Sequence, residues 1–254
     1  MAKTKIAWTD ATWSPVTGCT KISAGCTNCY AERMARRLAG RCGYPEAPHH
    51  FDVRLHPDRL LQPLRWKKPR RVFVCSMSDF FHPMIPLEFQ VRAFLVMRQC
   101  PQHTFQVLTK RSELMAMMEY AAGIPMLENL WLGVTTENQE QADRRIPDLL
   151  RTQAAVRFVS VEPMLGSVDA WQYLGAERNP IGLAYGSVGV DWLIIGCESG
   201  PNRRPMELEW AINLVRQCDA AGVATFVKQI PINGRVSHDL TEWPAELQRR
   251  EYPK

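Results

Sequence analysis

Val72-Phe73-Val74-Cys75 is a short apolar run, and it stops in Ser76-Met77-Ser78-Asp79. An apolar stretch of this length, rich in β-branched and aromatic residues and closed by polar ones, reads as a buried strand. The same figure recurs along the chain. Thr104-Phe105-Gln106-Val107-Leu108 stops in Thr109-Lys110-Arg111, and Leu130-Trp131-Leu132-Gly133-Val134 stops in Thr135-Thr136-Glu137. The run at 156–161 stops in Glu162-Pro163, the run at 192–196 in Cys197-Glu198-Ser199-Gly200, and Thr225-Phe226-Val227 in Lys228-Gln229. Helical patterns fill several gaps, at 87–99, 112–120 and 210–221. Upstream, residues 8–16 alternate aromatic, β-branched and polar types, which predicts a first strand.

Short apolar strands alternating with helices pair in parallel through right-handed crossovers. The expected fold is therefore α/β, a partial or closed (β/α) barrel of about six to seven parallel strands, with a doubly wound sheet as the alternative. In both architectures the C-terminal strand ends face the site, and here every such end is polar. One domain over residues 1–254 is expected. It carries an irregular, proline-rich excursion near 39–69, holding one short helix near 57–64, and a tail from about 231. The Gly-rich stretch 182–189 precedes a strand and lacks a phosphate-binding spacing, so it reads as a loop. Met115, Met117 and Met118 read as core or gap-filling residues.

The 254 residues include 46% hydrophobic types, enough for a sizeable core, and no apolar run approaches the roughly 20 residues of a membrane span. The first five residues are basic without an apolar segment behind them, so no signal peptide is read and a cytoplasmic location is expected. In that compartment the 8 cysteines stay reduced, which favours metal binding over disulfides. Net charge is a mild +5, with basic clusters at Arg33, Arg36, Arg37 and Arg41 and again at Arg65, Lys67, Lys68, Arg70 and Arg71. Either cluster suits phosphate groups, and the second suits a solvated face equally well.

Three cysteines then stand out in Gly18-Cys19-Thr20-Lys21-Ile22-Ser23-Ala24-Gly25-Cys26-Thr27-Asn28-Cys29-Tyr30, a C-x6-C-x2-C loop followed at once by a helical run. Thiolates bind soft metals, and a helix N-terminus favours the anionic form. Three thiolates without an obvious fourth suit a [4Fe–4S] cluster with one iron left open. Structural zinc stays open as well, with Cys42, His49 or His50 as the distant fourth ligand.

Residues 8–19, Cys26-Thr27-Asn28-Cys29-Tyr30, Ser76-Met77-Ser78-Asp79 and Gly196-Cys197-Glu198-Ser199-Gly200-Pro201 together resemble the phage-associated three-cysteine-motif family, within the radical S-adenosylmethionine (SAM) superfamily. The resemblance spans residues 6–229. It implies that Cys19, Cys26 and Cys29 bind three irons of a [4Fe–4S] cluster and that SAM occupies the fourth. It also implies a 5′-deoxyadenosyl radical that takes a hydrogen atom from substrate, and an electron donor such as flavodoxin or ferredoxin. The first cysteine gap departs from the usual C-x3-C-x2-C, and Ser76-Met77-Ser78-Asp79 replaces the usual Gly-Gly-Glu segment.

On that reading Ser76, Met77, Ser78 and Asp79 meet the SAM amino group or ribose, and Thr135, Thr136 and Glu137 the ribose. Lys110 or Lys228 pairs with the methionyl carboxylate. Glu162, Glu198 and Lys228 are the expected catalytic groups, with Ser199, Arg203, Arg204 and Gln229 against substrate, whose candidate class is a nucleotide or nucleic-acid base. Structural readings stand beside these: Asp79 as a turn cap, Glu137 as a helix-start charge, and Glu198 with Arg204 as an ion pair anchoring the loop. Two rival classes also remain. One is a zinc-stabilised nucleic-acid-binding module, with Trp8, Trp13 and Tyr30 stacking bases beside the basic clusters. The other keeps the barrel and uses Glu162, Glu198 and Lys228 for ordinary acid–base chemistry.

Overall fold

The computed structural model describes residues 4–122, 127–174 and 189–253. Apart from Gly189, the glycine-rich stretch 182–189 lies outside the described residues. The fold is mixed α/β, with a large, mostly parallel sheet of eight strands and a separate two-stranded ladder. At that level the expected parallel α/β architecture is met. The chain divides into two compact units, Met1–Leu132 with Thr152–Ala155, and Gly133–Arg151 with Val156–Lys254.

The first unit contains β1 (Ala11–Trp13), β2 (Val16–Thr17), α1 (Tyr30–Arg37), β3 (Arg54–Leu55), β4 (Arg71–Val74), α2 (Leu87–Arg98), β5 (Thr104–Thr109) and α3 (Ser112–Ala122). β1 pairs with β4 and β4 with β5, both in parallel. β2 and β3 form the small antiparallel ladder, so the irregular excursion returns to the chain just before the cysteine loop. The expected helix near 57–64 is two short 3-10 turns, Pro57–Arg59 and Pro63–Arg65, each opened by its proline. Proline fixes φ at a helix start but cannot continue a hydrogen-bonded run, and two of them six residues apart leave room only for single turns.

The core of this unit is aromatic. Trp13 is fully buried, meets the Phe105 ring edge-on at 5.8 Å, and donates its indole N–H to the Arg59 carbonyl at 2.9 Å. Phe80 lies edge-on to both Phe81 and Phe94. Burying one phenyl ring of this kind stabilises by roughly 1.5–3 kcal/mol. On α3, Met115 and Met118 are buried as expected, whereas Met117, read as core, is exposed, because it lies on the helix face turned away from them.

β6 (Leu130–Thr135) ends in the second unit, which continues through α4 (Gln139–Leu150), β7 (Val156–Val161), β8 (Trp192–Gly196), α5 (Leu208–Ala221), β9 (Ala224–Ile232) and β10 (Arg235–Ser237). β7 pairs with β8 and β8 with β9 in parallel, and β10 folds back antiparallel on β9. The start of the expected tail from 231 is thus sheet edge, through Ser237, and Arg250 forms an isolated bridge to Phe226. Trp192 anchors the core here, against Phe158, Phe226 and Tyr252. No helix among the described residues is long and apolar enough to cross a membrane.

Candidate functional site

Gly18 turns the chain into the cysteine loop with φ +82°, a conformation that only glycine adopts without strain. A Cβ at this position would lie 2.0 Å from the Asp52 carbonyl oxygen. The loop base is then tied on two sides. Gly18 N–H donates to the Met77 carbonyl at 3.0 Å, and the Ser78 hydroxyl to the Gly18 carbonyl at 2.5 Å. Cys19 N–H donates to the Phe51 carbonyl at 3.0 Å. Residues 76–78, directly after β4, hold one side, and residues 51–52 of the excursion hold the other.

Cys19, Cys26 and Cys29 are free and half-buried. Cys26 closes a single 3-10 turn, its N–H bonded to the Ser23 carbonyl, and Cys29 is the cap residue of α1. The first residue of α1 locks its start, because the Tyr30 hydroxyl donates to the Ser76 carbonyl. Among the described residues, no group of three or more His, Cys, Asp or Glu is positioned to hold a metal ion. The three free thiols of this loop are soft donors in kind, but as placed they do not form a metal-holding group.

Arg111, the second residue after β5, reaches this loop. Its Nη1 lies 3.5 Å from the Cys19 sulfur and donates to Asp79 Oδ2 at 2.9 Å. Its Nη2 donates at 3.0 Å to both the carbonyl and the hydroxyl of Thr20. The guanidinium and the Asp79 carboxylate are buried, with side-chain exposures of 7% and 9%. Asp79 Oδ1 further accepts from Phe81 N–H and the Thr109 hydroxyl, and Oδ2 accepts from Lys110 N–H. Four internal donors occupy the carboxylate, so the turn-capping reading of Asp79 is realised and its expected contact with SAM has no lone pair in reserve. His82 completes the set. Its Nδ1 accepts from Met84 N–H, so in the neutral ring Nε2 carries the proton and faces the Thr20 hydroxyl at 2.9 Å. Burial, and next the Arg111 charge, lower the His82 pKa and favour that neutral form. Burial, followed by the Asp79 carboxylate, pushes the Cys19 thiol up to about 11 against the pull of Arg111.

The second unit carries its own polar set at strand ends. Glu162, after β7, pairs with Lys228 on β9, both about one-fifth exposed. They meet beside Gly196, where an added Cβ would lie 3.2 Å from the Glu162 carboxyl carbon. Gln229 is buried and donates to the Cys197 carbonyl at 2.7 Å. Glu198 accepts from Arg204 three times, from its backbone N–H at 2.8 Å, from Nε at 3.0 Å and from Nη2. The loop-anchoring pair expected as the structural reading of Glu198 is therefore present, and it occupies both residues. Arg203 donates to the Gly200 and Gly234 carbonyls, and Ser199 is exposed.

Glu137 is fully buried against Arg145, whose Nη1 donates to it at 2.9 Å and to the Thr135 carbonyl at 2.6 Å. Thr136 is buried with its hydroxyl lacking a partner, while its N–H donates to the Ser160 carbonyl. Trp8 and Trp13 are buried at 2% and 0% exposure, so neither presents a face to a nucleobase, unlike the exposed Tyr30.

The structure thus brings together Cys19, Ser76, Met77, Ser78, Asp79 and Lys110 in the first unit, and Glu162, Gln229 and Lys228 in the second. Sequence reading missed Arg111, Thr20, His82 and Arg145. One signal was available for Arg111: β4 and β5 are neighbours, and each is followed within five residues by one member of an acid–base pair. No curated protein and no solved structure matches the chain. Residues 3–247 match the family described as Protein of unknown function (DUF5131), and the chain belongs to that family.

Proposed function

We propose that the protein is a radical SAM enzyme, built on a partial barrel, whose [4Fe–4S] cluster is held by Cys19, Cys26 and Cys29. One observation carries the reading: three free, half-buried cysteines share a loop whose first sulfur meets a buried guanidinium at the strand ends of the first unit. When bound, cluster and SAM supply one-electron cleavage of a sulfonium C–S bond and hydrogen abstraction from substrate.

The chain's own residues bind, orient and hold charge. Arg111 donates to the Cys19 sulfur, and Asp79 holds Arg111 in place. Ser76, Met77 and Ser78 offer hydroxyls and backbone to SAM, and the Lys110 ammonium offers a partner for a carboxylate. In the second unit the paired Lys228 and Glu162 side chains are the proposed acid–base groups. A nucleotide or nucleic-acid base is the proposed substrate class, and an acidic flavodoxin or ferredoxin the proposed electron donor.

Protein purified without oxygen should be brown and carry about four iron and four sulfide per chain. Cys26→Ala should abolish iron uptake, whereas Cys218→Ala, buried on α5, should keep it. Stoichiometric zinc without iron would overturn the proposal and favour the second reading, a zinc-stabilised nucleic-acid-binding module. What supports that module is the exposed face of α1 with Tyr30, Arg36 and Arg37.

A further inference from the structure

We propose that the outward face of α1 is a docking site for single-stranded nucleic acid; this rests on the substrate class proposed above, narrows it to a polymer, and needs neither metal nor SAM. The buried side of the helix is Ala31 and Ala35. Away from them, at helical spacing, stand Tyr30, Arg33, Met34 and Arg37. Tyr30 and Met34 are 48% and 42% exposed, and Arg36 and Arg37 are exposed beside them. Arg41 extends the face, since its Nη2 donates to the Arg37 carbonyl at 2.6 Å and so fixes the guanidinium just beyond the last turn. Four arginines thus stand against one carboxylate between residues 30 and 41. That carboxylate, Glu32, is taken by Lys21 at 2.9 Å. Glu46 lies against Gly40 in the following turn and, among the described residues, forms no ion pair with Arg36, Arg37 or Arg41.

The chemistry that matches this face carries repeated negative charge together with flat apolar rings. Cations in the last turn also suit the helix dipole, which accounts for Arg36 and Arg37. The dipole gives no reason for an exposed ring and thioether set among them. The Tyr30 ring is held, because its hydroxyl donates to the Ser76 carbonyl, so little freedom is left to lose when a base stacks on it. Stacking on an aromatic side chain tolerates any base, and a duplex hides the base faces that it needs. Arginine meets phosphate with a planar fork. From Tyr30 to Arg37 the helix rises about 10 Å. That is the reach of about three nucleotides at roughly 3.4 Å each. An acidic protein or an anionic membrane would meet the same charges without using the pinned ring, and both are arms of the test.

The test follows the fluorescence anisotropy of a labelled single strand of about 12 nucleotides, a length within single-strand site sizes, as protein is added at several salt concentrations. For wild type, log affinity should fall linearly with log salt. Arg37→Ala and Arg41→Ala should each make that slope shallower by about 0.7, one phosphate contact apiece. Arg98→Ala, which removes the same charge from the exposed side of α2, should leave slope and affinity unchanged. Tyr30→Ala should weaken binding about 5- to 150-fold at an unchanged slope. Tyr30→Phe keeps the ring and should recover most of that loss. Urea midpoints are taken for every variant, so that a helix-stabilising role, which moves the midpoint and not the binding, is seen as such. Strand binding that survives Arg37→Ala, Arg41→Ala and Tyr30→Ala unchanged overturns the proposal and leaves the substrate class standing. Equal affinity for a duplex of the same sequence, for polyglutamate or for vesicles of anionic lipid also overturns it. So does a wild type that binds no strand; a labelled mononucleotide, run alongside, then shows whether the substrate class falls with it, and iron content of the same protein reports on the radical reading separately.

Discussion

Glu137 is fully buried, and Arg145, almost as deep, is its partner. Removing one member of a buried pair strands the other charge, so Glu137→Ala is expected to cost about 3–5 kcal/mol. A lowered urea midpoint at an unchanged slope would register it, and a cost below about 1 kcal/mol, the range of exposed pairs, would show that Arg145 finds other acceptors. Gly196 makes a different demand. With 3.2 Å between its missing Cβ and the Glu162 carboxyl carbon, Gly196→Ala pushes Glu162 away from Lys228. The expected overpacking cost is about 1–3 kcal/mol. Substrate-dependent turnover should fall sharply in this variant while iron content stays at the wild-type value, and unchanged turnover would remove the pair from the chemistry.

Among the elements, strands were the most legible in the sequence. Buried parallel strands are short apolar runs, and 72–74, 104–108, 156–161 and 192–196 all lie on strands, while Cys75 already turns out of β4. β9 shows where that signal stops. Its apolar run ends at Val227, yet pairing continues through Lys228 and Gln229 to Ile232, because β8 on one side and β10 on the other supply backbone partners whatever the side chains are. α4 went unread for the opposite reason. Its charged surface and Pro147 hide a face formed by Ala142, Ile146, Leu149 and Leu150, all buried. Its start is marked by Asn138, whose side chain accepts from Gln141 N–H at 3.1 Å. Asn138→Ala should therefore destabilise the protein by about 1 kcal/mol, read as a shift in thermal or urea midpoint.

For the whole molecule, one pH response follows from the Cys19 thiol. The Cys19 pKa is raised in the folded, metal-free chain, from an ordinary 9.0 to about 11, so at neutral pH the thiol keeps its proton and must release it on loading. Metal uptake should rise with pH, by about tenfold per unit for the Cys19 proton alone. The sign for stability is the reverse. The unfolded chain ionises this thiol first, so the metal-free protein loses stability as pH climbs from about 9 towards 11. Uptake that is flat between pH 6 and pH 8 would count against Cys19 as a ligand.

The three cysteines stood out in the sequence as a candidate because their spacing is local. Arg111 did not, since its strand end offered Lys110 first, and the burial of the Arg111 guanidinium against Asp79 is a product of the fold. The same holds for Phe51 and Asp52, which sit within a proline-broken stretch and nevertheless form the wall behind Gly18. That wall has a consequence for heredity. A side chain at position 18 is excluded by a backbone oxygen from another segment, and no change of side chain at 52 can make room for it. Over evolutionary time the cysteine loop and the excursion near 39–69 must then drift as one inherited module, and a loop transplanted without its wall should arrive misshapen in a new host.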